Sequence, residues 1–250
     1  MNIIKRLFEI INGTINKFAL RLISEKAGTK AWIHRLIWRI GKRSEIFYQD
    51  GFIRNLDTKI FCNPDSELQD YVKELIEVPE GSVVKILDVG AGPVTMLGKK
   101  LQVRKVEITA VDPLANKYNE MLIKNNITPP VKTKEGFAER LSEQFENDYF
   151  DIAHAINSLD HCFDPVKALD EMLKVTKKGS YVVLKHSTNE AKKHNYSGLH
   201  QWNFFEEEGI FYISSSRLKV NVNKEFEEKA EVIARMIDGG NYLLVTLRKK

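Results

Sequence analysis

Residues 86–95 read Ile-Leu-Asp-Val-Gly-Ala-Gly-Pro-Val-Thr, or ILDVGAGPVT from Ile86 to Thr95. The run starts upstream at Val83 as VVKILDV and ends in an acid and a glycine-rich exit. Such a pattern is that of a buried strand followed by a sharp turn. Glycine lets the backbone turn tightly and lets a ligand approach with no Cβ in the way. A Gly-x-Gly pair alone serves many nucleotide-binding turns, so the residues around it decide what it holds.

Toward the C-terminus, apolar strands alternate with helical segments. MLGKKLQ (96–102) is expected as a short helix, VEITAVD (106–112) as a second strand and ANKYNEMLIKNN (115–126) as a helix. VKTKEG (131–136) is expected as a third strand, AERLSEQFE (138–146) as a helix and YFDIAHAI (149–156) as a fourth strand. DPVKALDEMLKVT (164–176) is a helix opened by Asp164 and Pro165, and GSYVVLKH (179–186) is a fifth strand. This alternation implies right-handed crossovers and a parallel, doubly wound α/β sheet. The end of the chain breaks the rhythm. EVIARMI (231–237) and YLLVTLRK (242–249) flank Asp238-Gly239-Gly240-Asn241, which suits the positive φ of a hairpin turn.

Toward the N-terminus the chain is helical and basic. Ile3, Ile4, Leu7, Ile10, Ile11, Ile15, Phe18 and Leu22 form one stripe over residues 1–25. A second helix is expected from Thr29 to about Gly41, with a stripe of Trp32, Ile33, Leu36, Ile37 and Ile40. Residues 44–65 read as irregular, and Asp65 to Leu75 as a helix leading into the core. Residues 1–43 carry ten Lys or Arg against Glu9 and Glu25, a net +8, whereas the remainder carries twenty-eight basic residues against thirty-two acidic ones, a net −4. The expected organisation is an N-terminal helical cap or lid over residues 1–64 and a Rossmann-like domain over 65–250. A basic amphipathic pair can also lie on a membrane surface, so peripheral contact through residues 1–43 is a second reading of the same stripe. Its role in a dimer stays open, as does the oligomeric state.

Bulk properties narrow the classes. A chain of 250 residues can bury one good core. A net charge of +4 gives no concentrated basic face for nucleic acid. Cys62 and Cys162 are too few for a disulfide framework, and a reduced, cytoplasmic setting is the simplest expectation. No uncharged run reaches the length of a membrane span, so an integral membrane protein is not expected.

The flanks of the glycine turn choose the ligand. A nicotinamide fingerprint would place a third glycine at position 95, where this chain has Thr95, and has no use for a carboxylate at position 88. S-adenosylmethionine carries an ammonium and a sulfonium instead of phosphates, so Asp88 beside the turn suits it. Twenty residues after Gly92 the second strand ends in Asp112, placed to accept both ribose hydroxyls.

At this point the chain resembles the class I methyltransferases, whose pattern is an acid, x, Gly, x, Gly, x, Gly. Asp88, Gly90 and Gly92 match, and Val94 departs from the last glycine. The resemblance implies a seven-stranded, mostly parallel sheet closed by the C-terminal antiparallel hairpin, with S-adenosyl-L-methionine as cofactor. It also implies that Pro113 and Leu114 border the adenine, that backbone groups of Gly136, Phe137 and Ala138 read the adenine edge, and that Asn157 lies under the methionine part. Phe137 stands where that family often has an acid.

Methyl transfer is an in-line displacement, and an oxygen nucleophile gains from a general base. His161, His186 and His200 lie where topology points them at the cofactor. Asp160, Asn189, Glu190, Tyr196, Trp202 and Asn203 accompany them as candidate acceptor-binding residues. Five of the six histidines fall between 154 and 200. His154, inside a strand, reads instead as a core histidine. Cys162 beside His161 is not expected to act as a nucleophile. Oxygen-rich ligation for a hard cation is not evident, so the expectation is a metal-independent enzyme. The runs Ser158–Pro165 and Leu199–Phe204 resemble small-molecule methyltransferases of bacterial surface-polysaccharide pathways. The expected acceptor is therefore a hydroxyl of a sugar, sugar nucleotide or related polar molecule. Nucleic-acid methylation lacks its Asn/Asp-Pro-Pro-aromatic tetrapeptide at the fourth strand, where Asn157-Ser158-Leu159-Asp160 stands. A non-enzymatic, membrane- or partner-docked module that keeps a cofactor fold is the remaining alternative.

Overall fold

A computed structural model describes residues 30–250, with side chains from Gly41 onward and that of Trp38. The first helical stripe and most of the basic segment expected to touch a membrane lie outside the described residues. No described helix is long and apolar enough to cross a membrane.

The strands are β1 (Val83–Val89), β2 (Lys105–Asp112), β3 (Lys134–Glu135), β4 (Phe150–Ile156), β5 (Thr176–Ser187), β6 (Asn203–Glu207), β7 (Ile210–Ser214), β8 (Lys219–Asn221), β9 (Ala230–Ile237) and β10 (Tyr242–Lys249). The longer helices are α1 (Lys30–Arg54), α2 (Ala115–Lys124) and α3 (Pro165–Val175). Seven strands form one sheet in the order β3-β2-β1-β4-β5-β10-β9. β1 to β5 pair in parallel, and β10 runs antiparallel between β5 and β9. This is the doubly wound sheet with a terminal antiparallel hairpin that the alternation and the resemblance implied. The hairpin turns at Asp238, Gly239 and Gly240, all at positive φ. Strand order reverses between β1 and β4, and ligands of open α/β sheets bind at the carboxyl ends beside such a reversal.

Successive strand residues face opposite sides of the sheet. Leu87, Ala153, Val182, Leu184, Leu243 and Val245 pack with α3 residues Leu169 and Met172. Their neighbours Ile86, Ile152, Val183 and Leu244 pack on the other face with Leu68, Val72 and Leu97. Both faces are covered, which is why these strands read as near-continuous apolar runs.

Several local expectations are corrected. Residues 96–102 form no helix. Instead the chain from Ser66 to Gln69 runs alongside: Lys99 N donates to Ser66 O at 2.7 Å, Leu68 N to Lys100 O at 2.9 Å, and the Gln69 amide bridges Met96 O and Gly98 N. These contacts satisfy the backbone groups that a helix would have paired internally. The same engagement shortens the helix expected over Asp65–Leu75 to Asp70–Lys73. The third strand is reduced to Lys134–Glu135, and residues 138–143 form a 3-10 segment interrupted at Arg140. α1 continues through the segment read as irregular. Glu45 and Gln49 bond one turn apart, Asp50 pairs with Arg54, and Ile53 is buried against Val94 and Leu122. Tertiary burial of that face outweighs the turn-forming composition.

A three-stranded antiparallel sheet of β6, β7 and β8 was not anticipated. Phe204, Phe211 and Ile213 join it to the main core with Val222 and Phe226.

Gly98 is a sensitive point of this architecture. A Cβ there would lie 1.9 Å from the Glu67 carbonyl oxygen, a backbone atom that cannot swing away. Gly98→Ala is expected to lower unfolding stability by about 1–3 kcal/mol or more, as for forced overpacking. An unchanged urea midpoint would contradict the paired 66–69 and 96–100 segments.

Candidate functional site

The glycine turn leaves β1 at its carboxyl end. Gly90 N and Ala91 N both donate to Val111 O, at 2.8 and 3.1 Å, so the turn folds back onto β2. Gly90 has φ +70°, and a Cβ there would lie 2.4 Å from Ser158 Cβ at the exit of β4. Ser158 Oγ in turn donates to Val89 O at 2.9 Å. The exits of β1 and β4 are thereby locked in contact.

Asp88 is turned inward. Thr95 Oγ1 donates to its Oδ2 at 2.5 Å, and His154 Nδ1 lies 2.8 Å from its Oδ1. His154 Nε2 is 3.0 Å from the Tyr71 hydroxyl. Burial first, and the Asp88 charge second, push the Tyr71 phenol well above its ordinary value, which keeps it neutral. Asp88, expected to suit the cofactor from beside the turn, has both oxygens held by the protein. Thr95, which entered the sequence argument only as a missing glycine, ties the end of the turn back to Asp88. His154 is a satisfied core histidine, as its strand position suggested.

Asp112, at the end of β2, is 8% exposed. Its oxygens accept from Leu114 N at 2.8 Å and Gly92 N at 3.1 Å. Burial raises the carboxyl to about 7, against the lowering effect of those two N–H groups. The direction in which a Cβ of Gly92 would point is open, with nothing within 4 Å. An open glycine face beside a buried carboxylate fits a ribose and its attached chain. Pro113 and Leu114 follow directly, with Leu114 buried.

The segment Gly136-Phe137-Ala138, expected to border an adenine, follows β3, and the Phe137 ring meets Trp38 of α1 at 5.7 Å between centroids. Glu139, not foreseen, is buried and accepts from Phe163 N at 3.0 Å and Asp164 N at 3.3 Å, holding the loop after β4. Asn157 has φ +45° and accepts from Ser187 N at 2.7 Å, tying the exits of β4 and β5 together.

Beyond Asn157 lies a histidine cluster. Asp160 is buried on a 3-10 turn, Leu159–His161. His200 Nδ1 lies 2.8 Å from its Oδ2, and His161 Nε2 is 3.5 Å from the same oxygen. His186 Nδ1 is 3.9 Å from Oδ1. Burial alone would raise the Asp160 carboxyl, but His161, His200 and His186 together hold it well below the carboxylate range. Burial likewise opposes the charging of His161, yet Asp160 prevails and the imidazole is raised. His186 is 1% exposed and stacked on Phe204 at 4.5 Å, and burial lowers it to about 4. Glu190 accepts from Ser187 Oγ at 2.5 Å and lies 3.3 Å from His194, whose ring stacks on His200 at 4.0 Å.

The structure therefore brings Asp160, His161, His186, His200 and Glu190 together. It takes others elsewhere. Trp202 is 5% exposed within the core, and its indole N–H donates to Cys162 O at 2.9 Å, so no face is offered for stacking. Asn203 is fully buried, accepting from Lys192 N and donating to the Tyr196 hydroxyl. Both hold the loop shape because β6, which the sequence reading did not foresee, draws them inward. Asn189, at φ +54°, has its buried Oδ1 unpartnered. Burial pushes the Cys162 thiol up, away from the reactive thiolate.

Comparison with known proteins gives the family and the fold. The sequence model of a family described as a methyltransferase domain matches residues 55–224. A stretch of 111 residues is 36% identical to an uncharacterized methyltransferase of Schizosaccharomyces pombe, covering 41% of this chain and 40% of that protein. The chain thus spans less than half the length of that relative. A Thermotoga maritima structure, described as an S-adenosylmethionine-dependent methyltransferase and possible histamine N-methyltransferase, superposes with a TM-score of 0.50 at 18% identity, covering 86% of this chain and 100% of that one. An Aquifex aeolicus S-adenosylmethionine-dependent methyltransferase gives 0.45 at 15% identity, covering 79% and 97%. The chain belongs to the methyltransferase-domain family.

The raised Asp112 carboxyl sets a pH dependence. A carboxylate accepts ribose hydroxyls and a protonated carboxyl does so less well, so affinity is expected to fall as pH drops through about 7. Between pH 8 and 6 the loss should be about tenfold, the change in ionised fraction. Calorimetric titration with S-adenosylmethionine should show it in the native chain, and Asp112→Asn should abolish the pH dependence. Stability runs oppositely: the folded state holds this proton more tightly than the unfolded one, so Asp112 makes the fold less stable as pH rises from about 4 to 7.

Proposed function

We propose that this methyltransferase methylates a hydroxyl of a sugar, sugar nucleotide or related polar small molecule, in the manner of surface-polysaccharide biosynthesis. S-adenosylmethionine supplies an electrophilic methyl group on a sulfonium. Asp112 and the open glycine face hold the donor's ribose side, with Phe137 and Leu114 beside the adenine. Asp160 and its histidines form the acceptor end, one turn beyond the residues that lock β1 to β4.

The observation that carries this reading is the buried Asp160 carboxylate at 2.8 Å from His200, an imidazole that is still partly exposed. A carboxylate that fixes one imidazole nitrogen orients the ring and steadies positive charge on it, as a proton acceptor requires. The acceptor oxygen forms a bond to the methyl carbon as the sulfur–carbon bond breaks, and its proton passes to this cluster. Glu190, Asn189 and Ser187 add hydrogen-bonding groups suited to a polyhydroxylated molecule. Two unpaired thiols support a reducing, cytoplasmic setting. We further take residues 1–64 as a cap on a catalytic unit spanning 65–250, because α1 touches the Phe137 and Leu199 sides of the cleft together.

Incubation with isotopically labelled S-adenosylmethionine and a polar-metabolite extract, followed by mass spectrometry, is expected to label an oxygen-methylated carbohydrate. Asp160→Asn and His200→Ala should each lower turnover by about 10²-fold or more while cofactor affinity stays within about twofold. Full turnover in both variants, or label found only on nitrogen or in RNA, would overturn the reading.

A further inference from the structure

We propose that Asp160, His161 and His200 form a binding site for a divalent transition-metal ion of the zinc class, with a coordination position left toward the cleft. The site lies at the acceptor end of the proposed function, where a bound ion would replace the hydrogen bond between Asp160 and His200 and supply a Lewis acid in its stead, whereas its existence rests on geometry alone.

Three potential ligand atoms converge. Asp160 Oδ2 and His200 Nδ1 are 2.8 Å apart, His200 Nδ1 and His161 Nε2 are 3.2 Å apart, and His161 Nε2 and Asp160 Oδ2 are 3.5 Å apart. Zinc bonds imidazole nitrogen and carboxylate oxygen at about 2.0–2.2 Å, which in tetrahedral geometry sets the ligand atoms about 3.3 Å apart. A triangle with the observed sides has its corners about 1.9 Å from its centre. An ion slightly above that plane therefore reaches bonding distance, about 2.0–2.1 Å, to all three at once.

Hydrogen bonding alone leaves this triangle short. His200 Nδ1 carries either one proton or one lone pair, yet it faces two partners. When it donates to Asp160, His161 Nε2 faces an N–H and has only an oxygen 3.5 Å away, beyond a good hydrogen bond. A cation at the centre satisfies the three atoms together.

An independent observation points the same way. His186 is 1% exposed, both its ring nitrogens lack a hydrogen-bond partner, and its Nδ1 stands 3.9 Å from the second Asp160 oxygen. A ligating carboxylate is commonly held from behind by a second donor. His186 is in place for that, needing only a small turn of the carboxylate. The two segments that carry the ligands are already joined, because Gln201 N donates to Asp160 O at 3.4 Å and Glu139 fixes Phe163 and Asp164.

The donor set selects the metal. Two imidazoles and one carboxylate suit zinc, cobalt, nickel or ferrous iron, and give magnesium or calcium too few oxygens. The adjacent trio of Glu190, His194 and His200 is a more open site, because His194 is exposed.

The test is a cobalt(II) titration of the full chain after dialysis against a chelator, read by visible ligand-field absorption, with zinc followed by calorimetry. One equivalent of each should bind, and magnesium should not. Asp160→Asn, His161→Ala and His200→Ala should each weaken cobalt binding about 10–100-fold, with S-adenosylmethionine affinity retained as the check on folding. His194→Ala should change it less than about threefold. Absence of saturable cobalt binding, or binding that survives His161→Ala and His200→Ala combined, overturns the site. Intact methyl transfer by a chain that binds no cobalt would overturn the metal and leave the proposed function standing. Cobalt binding with no methylated carbohydrate would do the reverse.

Discussion

The buried carboxylate of Asp88 is the constraint on which the cofactor cleft depends. It sits at the end of the central strand with almost no exposure, and it reaches Thr95 after the glycine turn, His154 on β4 and, through that ring, Tyr71 before β1. Four separate stretches of chain therefore meet on one charged group. A buried carboxylate without partners is costly, so the partners and the turn geometry stand or fall together. With Gly90 pressed against Ser158 and Asp112 bonded to Gly92, the mouth between β1, β2 and β4 is shaped before any ligand arrives.

Much of this was legible in the sequence, for a physical reason. Strands buried on both faces must be apolar almost throughout, and VVKILDV, FDIAHAI and YVVLKH advertise that directly. The Asp238-Gly239-Gly240 turn and the Asp164-Pro165 helix start are local signals, and local signals survive without tertiary context. What stayed hidden was non-local. The helix expected at 96–102 is displaced by a neighbouring strand of chain thirty residues earlier, which no periodicity in 96–102 could announce. α1 overran its expected end because burial of Ile53 lies far from it in sequence.

The candidate site divides in the same way. Asp112 and the glycine turn follow from spacing along two strands. Among the polar residues after β5, spacing could not distinguish a side chain that faces the cleft from one that holds the loop. Asn203 went to the interior because β6 pairs with β7, and Trp202, just before it, packs in the core with its indole N–H on Cys162 O. His194, in contrast, counted only as one member of the polar stretch after β5, yet its ring stacks on His200.

α1 packs against two segments that follow strands of the main sheet. Through Trp38 it rests on Phe137 at one end of the cleft, and through Gly41 on Leu199, one residue before His200, at the other. A rigid helix cannot seat one of these contacts without bringing the other close. Trp38 and Gly41 stand about one helical turn apart, so a substitution that shifts α1 at one contact is felt at the other.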